Sequence, residues 1–215
     1  MTVLVFANGD LQEKGWLAPF LESASTVIAV NGGLRHLLDL NVFPQTVVGD
    51  LDSLPDDVQD ELEARKTEIV EYPQDKDETD LELALLHAVA NYDGEIVIVA
   101  GMGGRIDQML ANILLLVHPD LQGHAIRFRT EYQRIWLAGS HTQIRGEPGD
   151  TVSLIPLGGD VRVTSSRGLR WTLENEVLHF GPARGVSNEM LNEMATVSVA
   201  SGHLLCVHTL RVWKR

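Results

Sequence analysis

Along the first ~130 residues, short apolar runs alternate with stretches in which apolar positions recur every three or four residues. The runs Thr2 to Ala7, Thr26 to Val30, Gln45 to Val48, Glu68 to Tyr72 and Glu95 to Ala100 read as strands. Trp16–Glu22, Gly33–Leu40, Asp56–Lys66, Thr79–Asn91 and Ile106–Val117 read as helices. The best-marked helix start is Thr79-Asp80-Leu81-Glu82, a capping-box pattern, followed by an apolar stripe of Leu81, Ala84, Leu85, Ala88 and Val89. Strands alternating with helices predict a mostly parallel sheet.

After about Tyr132 the pattern changes to short β-like runs: Arg134–Ala138, Thr151–Ile155, Val161–Thr164, Val177–Phe180, Thr196–Ala200 and Leu204–Val207. Glycine, proline and asparagine separate them. The fold class expected is therefore an N-terminal α/β domain, residues 1–131, followed by a C-terminal antiparallel β-sandwich, residues 132–215.

Composition narrows the picture. No apolar run reaches the roughly 20 residues that span a bilayer. The first residues lack the basic lead of a secretion signal and read as a strand. Cys206 is the single cysteine, which excludes an intrachain disulfide and cysteine-cluster zinc and reads as a buried strand thiol; a cytoplasmic location is the default expectation. Net charge is −13, concentrated between Asp50 and Glu82, where 14 acidic residues face only Arg65, Lys66 and Lys76. Such a surface repels nucleic acid and anionic membranes, so neither is expected as a partner. It accommodates a nucleotide if divalent cations stand between carboxylate and phosphate.

Every strand of the first domain ends in small, amide or acidic residues: Asn8-Gly9-Asp10, Asn31-Gly32-Gly33, Gly49-Asp50-Leu51-Asp52, Gln74-Asp75-Lys76-Asp77 and Gly101 to Asp107. In open α/β sheets these carboxyl ends share one crevice where ligands bind. Asp50 and Asp52, one residue apart in an extended strand end, point the same way. Two convergent carboxylates repel each other unless a cation neutralises them, and Mg2+ takes one or two carboxylates with phosphate oxygens and water. An Asx-turn explains one such aspartate at a time. At 75–80, helix capping accounts for Thr79 and Glu82 but not for Asp75 and Asp77 flanking Lys76, a mixture suited to a metal-bridged triphosphate at a helix N-terminus. Gly101–Gly104 with Arg105 lets backbone and guanidinium approach phosphates. A Walker A loop, a dinucleotide fingerprint, a Gly-x-Ser-x-Gly elbow and zinc-type histidine spacing are all absent from the sequence.

These residues resemble the thiamine pyrophosphokinase family. The likeness is carried by Val48-Gly49-Asp50-Leu51-Asp52-Ser53, by Lys76 to Leu85 and by Gly103-Gly104-Arg105-Ile106-Asp107-Gln108. In the second domain it is carried by Gly168-Leu169-Arg170-Trp171-Thr172-Leu173 and Gly185-Val186-Ser187-Asn188-Glu189, so that it extends from about Val3 to Val207. The resemblance implies a homodimer with active sites between subunits and the reaction ATP + thiamine → AMP + thiamine diphosphate. It implies Mg2+ on Asp50, Asp52 and Asp80, with Asp77 and Asp107 nearby. Asn31, Gly32, Gly33, Lys76, Thr79, Arg105 and Gln108 are implied on the nucleotide side, and Trp171, Ser187 and Asn188 around thiamine. A thiazolium cation beside an indole ring is physically reasonable.

The chain departs from the family in carrying Asn31 where an acidic residue is usual. The chemistry expected is in-line attack by the substrate hydroxyl on the β-phosphorus, with Asp77 or Asp107 as candidate proton acceptor. The alternatives are the same transfer to another heteroaromatic alcohol such as a hydroxymethylpterin, an inactive nucleotide-binding relative, and a metal-dependent phosphohydrolase.

Overall fold

The computed structural model describes residues 1–49, 54–73 and 75–214, without the side chains of 213 and 214. The chain divides into two compact units, Met1–Glu131 and Tyr132–Arg215.

The first unit is built on a parallel sheet of β1 (Thr2–Phe6), β2 (Thr26–Val30), β3 (Thr46–Val48), β4 (Glu68–Val70), β5 (Glu95–Val99) and β6 (Ile126–Arg129). Their spatial order is β6-β5-β1-β2-β3-β4. β1, β2 and β5 are buried along nearly their whole length, which explains their continuous apolar sequences: both faces of a central parallel strand are covered. Leu4, Phe6, Val27, Ala29, Val97 and Val99 pack with Leu17, Leu34, Leu37 and Leu62. That face is therefore covered by α1 (Ala18–Ser23), α2 (Leu34–Leu38) and α3 (Asp56–Ala64). α4 (Asp80–Asn91) lies against β1, β2 and β3 and beside α5 (Ile106–Leu115). Leu81, Leu83, Ala84, Leu85 and Ala88 are its buried residues.

The strand order places the site. The chain steps outward from β1 through β2 and β3 to β4, then returns through α4 to β5 on the other side of β1. The switch point thus falls between β1 and β5, where a crevice opens at the carboxyl ends of the strands.

Two differences from the sequence reading concern strands, besides the short strands His141–Arg145 and Asn188–Glu189 that it did not include. β6 is an added parallel strand; its sequence, Ile126-Arg127-Phe128-Arg129, alternates buried and half-buried residues and lacks a continuous apolar run. In the second unit, β7 (Gln133–Ala138), β8 (His141–Arg145), β9 (Thr151–Arg167), β10 (Glu174–Leu178), β11 (Asn188–Glu189) and β12 (Met194–Thr209) pair antiparallel. The runs Thr151–Ile155 and Val161–Thr164 are one 17-residue strand, and Thr196–Ala200 with Leu204–Val207 one 16-residue strand. The glycines read as breaks lie instead where the two long strands bend. Their register shifts between Ser198 and His203, and Gly202 sits at φ 88° where a Cβ would come 2.5 Å from the Asp160 carbonyl oxygen. Such bulges turn a strand without ending it. Both halves of the long strands supply one core: Val152, Leu154, Leu204 and Cys206 from one half, Val161, Val163, Ala195 and Val197 from the other. This closes the antiparallel strands into a sandwich.

Candidate active site

A cavity of about 360 Å³ occupies the switch-point crevice. Asn8, Gly9 and Asp10 follow β1, Asn31 follows β2, and Gly101, Gly103 and Gly104 follow β5; Thr79 and Asp80 begin α4, and Gln108 and Asn112 come from α5. The loops after β1 and β5 are held together tightly. The Gly9 N–H donates to the Ala100 carbonyl at 2.8 Å, and a Cβ on Gly9 would overlap that same oxygen. From behind, His36 Nε2 lies 2.9 Å from the Gly9 carbonyl oxygen and Arg35 donates to the Asn8 carbonyl at 3.2 Å. Burial, outweighing the hydrogen bond to Gly9, pushes the His36 imidazole below its ordinary pKa. His36 is thus a neutral imidazole donating to Gly9.

Asp80 stands between this cavity and a second of about 420 Å³ lined also by Tyr72, Lys76 and Glu78. Its Oδ1 accepts from Lys76 Nζ at 2.6 Å and its Oδ2 from Asn31 Nδ2 at 2.9 Å. Thr79 caps α4, accepting the Glu82 N–H at 3.2 Å, and positions Asp80 in the first turn. The other half of the capping box is replaced: the Glu82 carboxylate lies 3.5 Å from His118 Nε2. Lys76 Nζ also sits 5.4 Å from the centre of the Tyr72 ring.

Arg105 grips Asp107 through both Nε and a terminal nitrogen, on the exposed rim of the crevice. That hydrogen-bonded pairing raises the guanidinium pKa and holds the Asp107 carboxyl below its usual range. Gln108 lines both cavities; Asp75 and Asp77 are exposed beside them. Gly32 and Gly33 face the β1 end instead: a Cβ on Gly32 would meet the Asn8 side chain, and one on Gly33 the Phe6 carbonyl. Asp50 and Asp52 lie outside the described residues. Among the described residues no cluster of three or more His, Cys, Asp or Glu side chains is arranged to hold a metal.

In the second unit a concavity of about 490 Å³ is bordered by Leu154, Trp171–Leu173 and Arg184–Asn188. Trp171 is 59% exposed and Val186 45%, an unusual expenditure of apolar surface on a ligand-sized hollow. Asn188 is nearly buried, and its amide is used on the backbone of Trp171. Ser187 sits at φ 62° with its N–H bonded to Ser153 Oγ at 3.0 Å.

Asn8 and Asp10, which the sequence reading placed at this crevice without an individual role, line it, and Asn112 is a crevice residue that it did not select. Asn112 donates to the Gly101 carbonyl at 2.7 Å, one helical turn beyond Gln108. Gln108 and Asn112, polar at i, i+4 on a helix that is apolar beyond Asp107, carried a legible signal.

An open α/β domain with a polar, phosphate-suited crevice at its switch point, followed by an antiparallel domain with an aromatic-edged hollow, defines a two-domain nucleotide-dependent transferase. Residues 17–128 match the family model "Thiamin pyrophosphokinase, catalytic domain", and residues 140–204 match "Thiamin pyrophosphokinase, vitamin B1 binding domain". The chain belongs to the thiamine pyrophosphokinase family. It is 28% identical over 210 residues to "Thiamine pyrophosphokinase" of Bacillus subtilis, covering 97% of this chain and 98% of that one. A crystal structure of the B. subtilis enzyme superposes with a TM-score of 0.86 at 26% identity, over 98% of this chain and 99% of that one. "Thiamine pyrophosphokinase 3" of rice is 29% identical over 168 residues, 74% of this chain but 62% of the longer plant protein.

Proposed function

We propose that this chain transfers the diphosphate of ATP to the hydroxyl of thiamine, giving AMP and thiamine diphosphate. The observation that carries the reading is the division of two hollows between two matched regions. The polar crevice with Asp80, Lys76, Arg105 and Gln108 lies in the catalytic match, and the hollow edged by Trp171 lies in the vitamin B1-binding match.

Lys76 and Arg105 suit the phosphate chain, and Arg105 can exchange Asp107 for a phosphate with the same forked geometry. The thiazolium would lie against Trp171, held by the Ser187–Asn188 turn. When Arg105 turns to the phosphate it releases the Asp107 carboxylate, and Asp77 and Asp107, both exposed beside the crevice, are the candidate proton acceptors.

The crevice fits Mg2+ in its chemistry: Asp80 and Asp10 are hard oxygen donors on its wall, and Asp80 already attracts one cationic group. Asp50, Asp52 and Asp80 would hold the ion, whose contribution is to neutralise phosphate charge. A homodimer completes the reading. Ile106, Leu110 and Leu114 form an exposed apolar stripe on α5 beside Arg105 and Gln108, a surface suited to a second copy. A cytoplasmic setting is the default that goes with this reading.

The deciding experiment is nucleotide product analysis with and without thiamine. AMP formed only when thiamine is present is the expected result. ADP as product, or phosphate released without an acceptor, would exclude this function.

A further inference from the structure

Both oxygens of Asp80 are occupied by donors of this chain. Lys76 reaches Oδ1 from the loop four residues before α4 begins, and Asn31 reaches Oδ2 from the carboxyl end of β2. The Asn31 amide must present its nitrogen here, because its oxygen would otherwise face a carboxylate oxygen. Its backbone is set at φ 46°, a region asparagine tolerates better than most residues. Gly49 packs so closely behind it that a Cβ there would lie 3.0 Å from the Asn31 Cβ. Asn31 is therefore directed at Asp80 by its backbone and backed by the next strand end. Both residues line both cavities, so their hydrogen bond is part of the wall between them.

The charge arithmetic at this wall is simple. Asp80 contributes one negative charge, Lys76 one positive charge, and Asn31 none. A carboxylate in place of the Asn31 amide would stand within hydrogen-bond distance of Asp80 and create a demand for a cation that the present pair lacks.

We propose that Asn31 is a positioning residue that holds Asp80 ready as an oxygen donor without adding a second carboxylate to the Lys76–Asp80 pair, so that a divalent cation enters only together with the phosphate chain of the nucleotide, which draws Lys76 off Asp80. The anionic phosphates draw Lys76 toward themselves and supply the further charged oxygens that a hard cation requires. This rests on the proposed cation–phosphate reading of the crevice, but its metal-uptake measurements need neither thiamine nor turnover.

The experiment is a titration with Mn2+ followed by electron paramagnetic resonance and by thermal unfolding, with and without a non-hydrolysable ATP analogue. Wild-type protein should take up Mn2+ at this site only with the analogue present. Asn31→Asp should bind Mn2+ alone at least about tenfold more tightly than wild type, since affinity in oxygen sites follows the number of charged ligands. It should also lose melting temperature in chelator and regain it with Mn2+. Asn31→Gly keeps the backbone conformation and removes the hydrogen bond. It should weaken nucleotide-dependent Mn2+ uptake and raise the KM for ATP more than it lowers kcat. Mn2+ uptake by wild type without nucleotide at the affinity of Asn31→Asp would overturn the proposal, as would an Asn31→Gly variant unchanged in uptake and KM. No Mn2+ uptake by wild type even with the analogue would overturn both the proposal and the metal reading beneath it.

Discussion

The side-chain amide of Asn188 brackets the backbone of Trp171: Oδ1 accepts the Trp171 N–H at 3.0 Å, and Nδ2 donates to the Trp171 carbonyl at 2.6 Å. The same Oδ1 accepts the Glu189 N–H at 2.9 Å. Asn188 is thus spent on holding Trp171, and any part it plays in the proposed thiamine site runs through that ring. Asn188→Ala removes bonds to part-buried backbone groups, at a cost of about 0.5–1.5 kcal/mol each. The expected outcome is a raised KM for thiamine with the KM for ATP unchanged, measured by steady-state kinetics.

Trp171 itself is mostly exposed, and Arg170 already lies over its ring at 5.5 Å. A guanidinium accepted there shows that the ring face is open to a cation. Removing a cation–π contact of about 0.5–2 kcal/mol in Trp171→Ala should raise the KM for thiamine roughly 2- to 30-fold. Trp171→Phe should recover part of the loss. An unchanged KM in the alanine variant would place the thiazolium elsewhere.

The central parallel strands were legible because burial on both faces writes an uninterrupted apolar run into the chain, as in Val3-Leu4-Val5-Phe6. β6 was not, because its arginines alternate with Ile126 and Phe128. The long strands β9 and β12 were read in halves because glycines that bend a strand resemble glycines that end one. In the crevice, the residue types were legible and their partnerships were not. Asn31 and Asp80 are 49 residues apart, and Asn188 and Trp171 are 17 apart; no local period encodes such bonds. Thr79 was legible as a cap because its bond to the Glu82 N–H is local.

Asp150 and His208 form a buried pair in the second unit, 2.7 Å apart, with relative exposures of 2% and 0%. Asp150 also accepts the N–H groups of Glu147 at 3.0 Å and Arg211 at 2.7 Å. It therefore ties the turn before β9 to the end of β12. Desolvation opposes the charge, but these bonds outweigh it and hold the Asp150 carboxyl below its usual range. Asp150→Ala should destabilise the fold by about 3–5 kcal/mol, the usual result of stripping one partner from a buried pair. Denaturant unfolding followed by tryptophan fluorescence measures it.

His36 makes stability depend on pH. Burial lowers its folded pKa below the ordinary 6.5, so the unfolded chain takes the proton first as pH falls. Stability is fully present above about pH 6.5 and is lost as pH falls toward the folded pKa. Asp150, also depressed, acts only below its ordinary 3.8 and does not contribute in this window. Wild type should therefore unfold at lower denaturant at about pH 5.5 than at about pH 7.5, and His36→Gln should flatten that difference. A slope identical in the variant would assign the dependence to another group.

The crevice also depends on a side chain that is missing. Gly9 donates to the Ala100 carbonyl oxygen, and a Cβ at Gly9 would overlap that oxygen. Ala100 is itself at φ 55°, so the β5 loop has little freedom to retreat. Gly9→Ala must separate the ends of β1 and β5 at the switch point, where Asp10, Gly103 and Gly104 line the cavity. Overpacking of this kind costs about 1–3 kcal/mol, and here the displaced atoms are the walls of the proposed nucleotide site. Gly15→Ala is the matched control, since its Cβ would meet nothing within 4 Å. The expected outcome is that Gly9→Ala lowers both melting temperature and affinity for a fluorescent ATP analogue, while Gly15→Ala leaves that affinity at the wild-type value. Full analogue affinity in Gly9→Ala would mean that the nucleotide does not depend on the β1–β5 end, and would move its site away from the switch point.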